Sequence, residues 1–220
     1  MPPVQTPPQQ SAPGFYRWLI MVLAILIALV VLYRASDPGP EVPPSKLSRL
    51  SVIPPFSLTE RSGRQITNRD LAGKIWIADF VYTTCPGPCP LVTAEMAKVQ
   101  AATMNDPHVQ LVTFTVDPTI DTPGVLAKYA DSYHADPSKW WFVTGPEKPL
   151  DDLIQNGFLQ PVQDNRGHPL EPAQGPVTHS LYLALVDGEG NMRGAYDSTG
   201  GEERPELLRD IKILEQEAGL

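Results

Sequence analysis

Two cysteines, Cys85 and Cys89, stand four residues apart in the run CPGPC, and they are the only two in the 220-residue chain. Closing so small a ring removes little chain entropy, so a structural staple is a poor explanation of the pair. Thiols this near each other can instead form a reversible disulfide or share one metal ion. Two thiolates fall short of a closed zinc site, which takes four ligands, and the chain holds no second cysteine pair. Two sulfurs with one imidazole suit Cu(I), because soft thiolate ligands select it. Four histidines compete for the third place. His108 follows Asn-Asp-Pro in a turn and His134 ends a helical segment, where solvation or pairing with a helix dipole is the ordinary role. His168 lies in the polar loop QDNRGHPLEP. His179, in PVTHSLYLALVD, stands just before a strand, and ligands of α/β proteins gather at such strand and loop ends. Asp79 interrupts the apolar run IWIADFVY six residues before Cys85. Burial would raise its pKa and let it take a proton from a thiol; the alternative is a carboxylate that satisfies nearby backbone amides.

The elements that must position these groups alternate between strand-like and helix-like patterns, which predicts an α/β domain. Residues 75–82 form a nearly continuous apolar strand, as the centre of a sheet covered on both faces requires. The cysteines follow at once, and residues 90–104 carry Val92, Met96 and Val99 at helical spacing. This order puts Cys85 in a loop and Cys89 at a helix start, where unpaired amides and the helix dipole favour a thiolate. A second buried strand is expected at 109–116. Thr122-Pro123 supplies a cap and a first-turn proline for a helix presenting Leu126, Tyr129, Ala130 and Tyr133. A short strand at 140–144, a helix at 150–158, an inserted loop or hairpin at 159–177, hairpins around 62–64 and 187–190, and a last helix after Pro205 complete the reading.

Residues 15–33 are apolar except for Arg17 and are long enough, at ~1.5 Å per residue, to cross a bilayer core, with aromatics at both ends. The expected organisation is a disordered tail at 1–14, a retained transmembrane anchor at 15–34, a proline-rich tether at 35–55 and a domain at 56–220. Eleven of the 25 prolines fall in the tail and tether. The formal charge is −8, and every acidic residue lies after residue 36. Such a domain is a poor partner for nucleic acid, whose binding rests on Lys and Arg at phosphates. Basic residues after the apolar run, Arg34, Lys46 and Arg49, taken alone favour a cytoplasmic C-terminus.

The blocks DFVYTTCPGPCPLVTAEM, VTFTVDPTIDTPGVLAKYA and PVTHSLYLALVDGEGNMRGAYD together resemble the Sco/SenC family of membrane-anchored copper-binding proteins, over about residues 52–218. The resemblance implies a thioredoxin-like fold, a central mixed sheet flanked by helices, preceded by a single transmembrane helix. It implies copper, as Cu(I) or Cu(II), on Cys85, Cys89 and His179, with the domain exported to the bacterial periplasm or the mitochondrial intermembrane space; the bacterial inner membrane, with the domain facing the periplasm, is the expected location. Asp117, in DPTIDTP, falls close to the site in that fold, as support for a ligand or as a loop cap. The implied role is that of an assembly factor and not a turnover enzyme. It would deliver copper to the dinuclear site of cytochrome c oxidase subunit II, or to another copper- or cysteine-bearing respiratory protein, or reduce the cysteines there. Thr178 stands where many relatives carry aspartate. CPGPC also ends like a thioredoxin motif, and Asp79 matches the buried aspartate of thioredoxin. Thiol–disulfide exchange, with Cys85 attacking, Cys89 resolving and Asp79 moving protons, is therefore the competing expectation. A tethered redox or copper sensor is the third.

Overall fold

A computed structural model describes residues 14–36, 47–161, 163–164, 177–178, 181–198 and 205–220. The chain divides into two units, Met1–Pro44 and Ser45–Leu220. Among the described residues the first contains one helix, α1 (Gly14–Ser36), of 23 residues, about 35 Å at 1.5 Å per residue. Its side chains are described at residues 16–29 and 32. Among the described residues no helix is long and apolar enough to cross a membrane.

The second unit is built in chain order from β1 (Ser51–Val52), β2 (Ser57–Glu60), β3 (Gln65–Thr67), β4 (Ile75–Val81), α2 (Cys89–Thr103), β5 (Val109–Thr115), α3 (Pro123–Ser132), β6 (Trp140–Thr144), α4 (Glu147–Gly157), β7 (Gln163–Asp164), β8 (Val177–Thr178), β9 (Tyr182–Val186), β10 (Asn191–Asp197) and α5 (Pro205–Ala218). Eight strands make one mixed sheet in the order β1-β10-β9-β4-β5-β6-β2-β3. β4, β5 and β6 run parallel at its centre, with Asp79 opposite Thr113 and Thr113 opposite Phe142. β9 pairs antiparallel with β4, and β7 and β8 form a separate ribbon within the stretch expected as an insertion.

Every residue of β4, β5 and β6 is buried. This is why these strands read as unbroken apolar runs and not as alternating ones. One face carries an aromatic cluster in which Phe80 lies 4.9 Å from Phe158 and 5.7 Å from Phe114, ring centre to ring centre, with Trp76 5.7 Å from Phe158. The opposite face, holding Asp79, Thr113 and Phe142, receives α2 and α3, Tyr129 of α3 lying 6.3 Å from Phe142. Helices α2 and α3 connect parallel neighbours and so run back against the strands. The loops that start them therefore share the C-terminal pole of β4 and β5.

Three local expectations need correction. Residues 47–55, expected as tether, belong to the packed unit: β1 pairs with β10, Ile53 is buried, and Leu47 packs against the core. Helix α4 starts at Glu147 and not at 150, because Pro149 falls in the first turn, where the missing N–H costs nothing. Thr122 occupies the cap of α3, but its side chain makes no capping hydrogen bond. Its carbonyl alone takes the amides of Val125 and Leu126.

Candidate functional site

The loop from Tyr82 to Pro88 carries the chain from the end of β4 to the start of α2. It turns immediately, the Cys85 amide donating to the Tyr82 carbonyl at 3.2 Å. Proline is tolerated throughout this stretch, since Pro88 caps α2 and Pro90 lies in its first turn, where no intrahelical N–H is required. Cys85 is half-buried and Cys89 fully buried, and no disulfide joins them.

The two sulfurs are in hydrogen-bond contact, yet their environments push them apart. Burial works against the Cys85 thiolate, but the Cys89 thiol, the amides of Cys89 and Gly87, and the Tyr82 hydroxyl all donate toward its sulfur. The balance leaves Cys85 below the ordinary thiol range. Burial pushes Cys89 well up, reinforced by its bond to Cys85. The expectation that the helix start lowers a thiol pKa thus holds for the loop cysteine that receives the amides. It fails for the cysteine that begins the helix, because desolvation there outweighs the dipole.

Asp79 is fully buried on β4, close enough for its charge to act on Cys89. Thr113 donates to its Oδ1 at 2.5 Å, and Trp140 Nε1 donates to the Thr113 hydroxyl at 2.8 Å. Its Oδ2 has no hydrogen-bond partner among the described residues. Desolvation, opposed by the Thr113 bond and by its own backbone amide, pushes the carboxyl up to about 7. Its negative charge also raises Cys89. The carboxylate thus accepts from one hydroxyl and from its own backbone amide, which joins features of a proton carrier and of a carboxylate that satisfies nearby amides.

Asp117 is buried, with Thr119 donating to its Oδ1 at 2.6 Å and its own amide donating to the Thr115 hydroxyl at 3.0 Å. Its charge acts on Tyr82, which in turn touches Cys85. It therefore caps its loop and also stands near the thiols. His108 and His134 are at the far pole. The His108 carbonyl accepts the amide of Ile75 at the start of β4, and the His134 carbonyl accepts Gln100 near the end of α2. His168 and His179 lie outside the described residues. β8 ends at Thr178, the residue before His179. Among the described residues no group of three or more His, Cys, Asp or Glu is arranged to hold a metal ion.

Two contributors went unseen in the sequence. Tyr82 was read only as the end of an apolar strand. Asp121, also in DPTIDTP, is fully buried and binds Thr83 and Thr115; the only sequence signal for it is a second acid four residues after Asp117.

A family model described as SCO1/SenC matches residues 45–214. The chain is 26% identical over 162 residues to the SCO1 protein homolog of Bacillus subtilis (strain 168), covering 73% of this chain and 81% of that protein. The structure of a SCO1/SenC family lipoprotein from Bacillus anthracis str. Ames superposes with a TM-score of 0.68 at 30% identity, covering 76% of this chain and 97% of that one. ScoI of Bradyrhizobium japonicum with copper bound superposes with a TM-score of 0.62 at 25% identity, covering 74% and 99%.

Proposed function

Because the chain belongs to the SCO1/SenC family, whose mixed α/β thioredoxin-like fold it shares, we propose that it binds copper and serves the assembly of cytochrome c oxidase. The observation that carries this reading is the pair of sulfurs in contact at one pole of the sheet, a donor set of the softness Cu(I) selects. The copper-bound ScoI structure supports the same cargo. Cys85 and Cys89 would hold the ion with His179, one residue beyond β8, as third ligand. Cys89 must give up its proton to bind, and the open Oδ2 of Asp79 is the acceptor near it. Asp117 supports the loop beside them. The client is the dinuclear copper site of subunit II or a comparable copper- or cysteine-bearing respiratory protein. The anchor is α1, a single pass through the bacterial inner membrane with the domain in the periplasm.

Copper titration of the reduced protein tests this. The wild type takes one Cu(I), and Cys85→Ala, Cys89→Ala and His179→Ala each weaken it. Unchanged affinity and spectrum in His179→Ala removes that residue from the ligand set.

A second reading rests on the split between the thiols. Cys85, activated and half-exposed, attacks a target disulfide, forming a mixed disulfide and releasing one target thiolate. Cys89 passes its proton to Asp79 and attacks the Cys85 sulfur. The second target thiolate leaves, so the target is reduced and Cys85–Cys89 is oxidised to a disulfide, which an external dithiol must reduce again. Cys89→Ser should trap the mixed disulfide, and failure to recover any cysteine-bearing partner counts against this version. The two readings are compatible, since reducing a target's cysteines prepares them for metal.

A further inference from the structure

Within the CPGPC loop the amides of Cys89 and Gly87 donate to the Cys85 sulfur. Both ends of the loop are also held from outside, and by the same stretch of chain. Asp121 takes the Thr83 amide at 3.1 Å on Oδ2 and 3.3 Å on Oδ1, the Thr83 hydroxyl at 2.5 Å and the Thr115 hydroxyl at 2.5 Å. Thr83 is two residues before Cys85. The Asp121 amide donates to the Asp117 carbonyl at 2.9 Å, which closes the turn that leads into α3. Two turns along α3, the Tyr129 hydroxyl meets the Thr93 hydroxyl at 2.8 Å. Thr93 in turn donates to the Cys89 carbonyl at 3.0 Å. That second bond uses the Thr93 proton, so Tyr129 is the donor to Thr93.

We infer that Asp121 and Tyr129 are positioning residues, a brace from the segment after β5 that sets the separation of Cys85 and Cys89 and so the geometry offered to the metal. A fully buried carboxylate accepting four hydrogen bonds, three of them from the residue that leads into the thiol loop, is more than turn capping requires. Outer partners of metal ligands typically govern about 10–100-fold in affinity, and the brace acts at that level without touching the ion. The inference rests on the copper reading above.

The test uses the full chain with Cu(I) against a competing chelator, the Cu(II) sulfur charge-transfer band, and hydrogen exchange at the Thr83 amide in the metal-free protein. Asp121→Asn and the milder Thr83→Val should each weaken Cu(I) by about 10–100-fold and shift the band. Tyr129→Phe should do so from the Cys89 side, and Asp121→Asn should speed Thr83 exchange by at least about tenfold. Asp187→Asn, a buried carboxylate at the opposite pole, serves as control. It should lower thermal stability and leave copper affinity at the wild-type value. Wild-type affinity and band in both Asp121→Asn and Thr83→Val overturn the brace, as does an equal loss of copper in Asp187→Asn. If the wild type itself takes no copper, the copper reading fails. The brace is then judged by Thr83 exchange and by the glutathione equilibrium of Cys85–Cys89, and no change in either overturns it.

Discussion

Asp79 is the residue where burial, chemistry and pH meet. Its carboxyl titrates near 7 in the folded protein against 3.8 as its ordinary value. The folded state therefore holds a proton that the unfolded chain has released, throughout the interval between those values. Stability from this group is complete below about pH 4 and is lost as pH climbs toward 7, after which it is flat. Asp79→Asn keeps an acceptor for Thr113 and cannot ionise. It should abolish that slope and stabilise the domain at pH 8 by roughly 4 kcal/mol. Urea unfolding at pH 5 and pH 8 measures the difference, and an unchanged slope would mean that Asp79 is ionised in the folded protein. In thiol exchange the same substitution should slow resolution of the mixed disulfide by Cys89. The cysteine pair and Asp79 could be read from the sequence because spacing and an acid in an apolar strand are local signals. Asp121 could not, because its partner Thr83 is 38 residues away and only the meeting of two strand ends brings them together.

At the scale of elements, strands buried on both faces announce themselves. β6 falls on the expected residues 140–144, and β4 and β5 end within a residue of expectation. The edges are another matter. β1 is two residues long in a proline-rich stretch, and pairing with β10 rather than any pattern of its own makes it a strand. The turn between β9 and β10 shows how tightly one such element is fitted. A Cβ on Gly188 would lie 2.9 Å from Gly73 Cα and 3.0 Å from its carbonyl carbon, where the Gly73 amide already donates to the Gly188 carbonyl at 2.9 Å. Backbone cannot swing aside as a side chain can, so Gly188→Ala should cost about 1–3 kcal/mol. Gly190, two residues on, has open space but a φ of +83°. Gly190→Ala should cost about 1 kcal/mol through backbone conformation alone. Denaturation midpoints of the two variants check the order, and equal losses would argue against the steric account of Gly188.

For the whole molecule, the division at residue 44 separates the proposed anchor from the unit that carries the thiols. The full chain should sediment with membranes and resist carbonate extraction, while residues 45–220 alone should be soluble, fold, and retain full copper affinity. A truncation that begins at 56 instead removes β1, Ile53 and Leu47 and should unfold at a clearly lower temperature. Recovery of the full chain in the soluble fraction would rule out α1 as an anchor.

The entry of the chain into the domain is clamped. Arg193 donates to the Leu47 carbonyl at 2.6 Å and 3.2 Å, to Asp187 at 2.9 Å and to Glu217 at 2.8 Å. Arg49 reaches Glu189 at 2.8 Å. These contacts gather around Gly73 and Ile75, at the beginning of β4, while the thiols lie past its end, about 20 Å away along seven residues of strand. Substitutions in this ion-paired knot should therefore lower the stability of the packed unit and leave the geometry of the thiol pair, a full strand length away, unchanged.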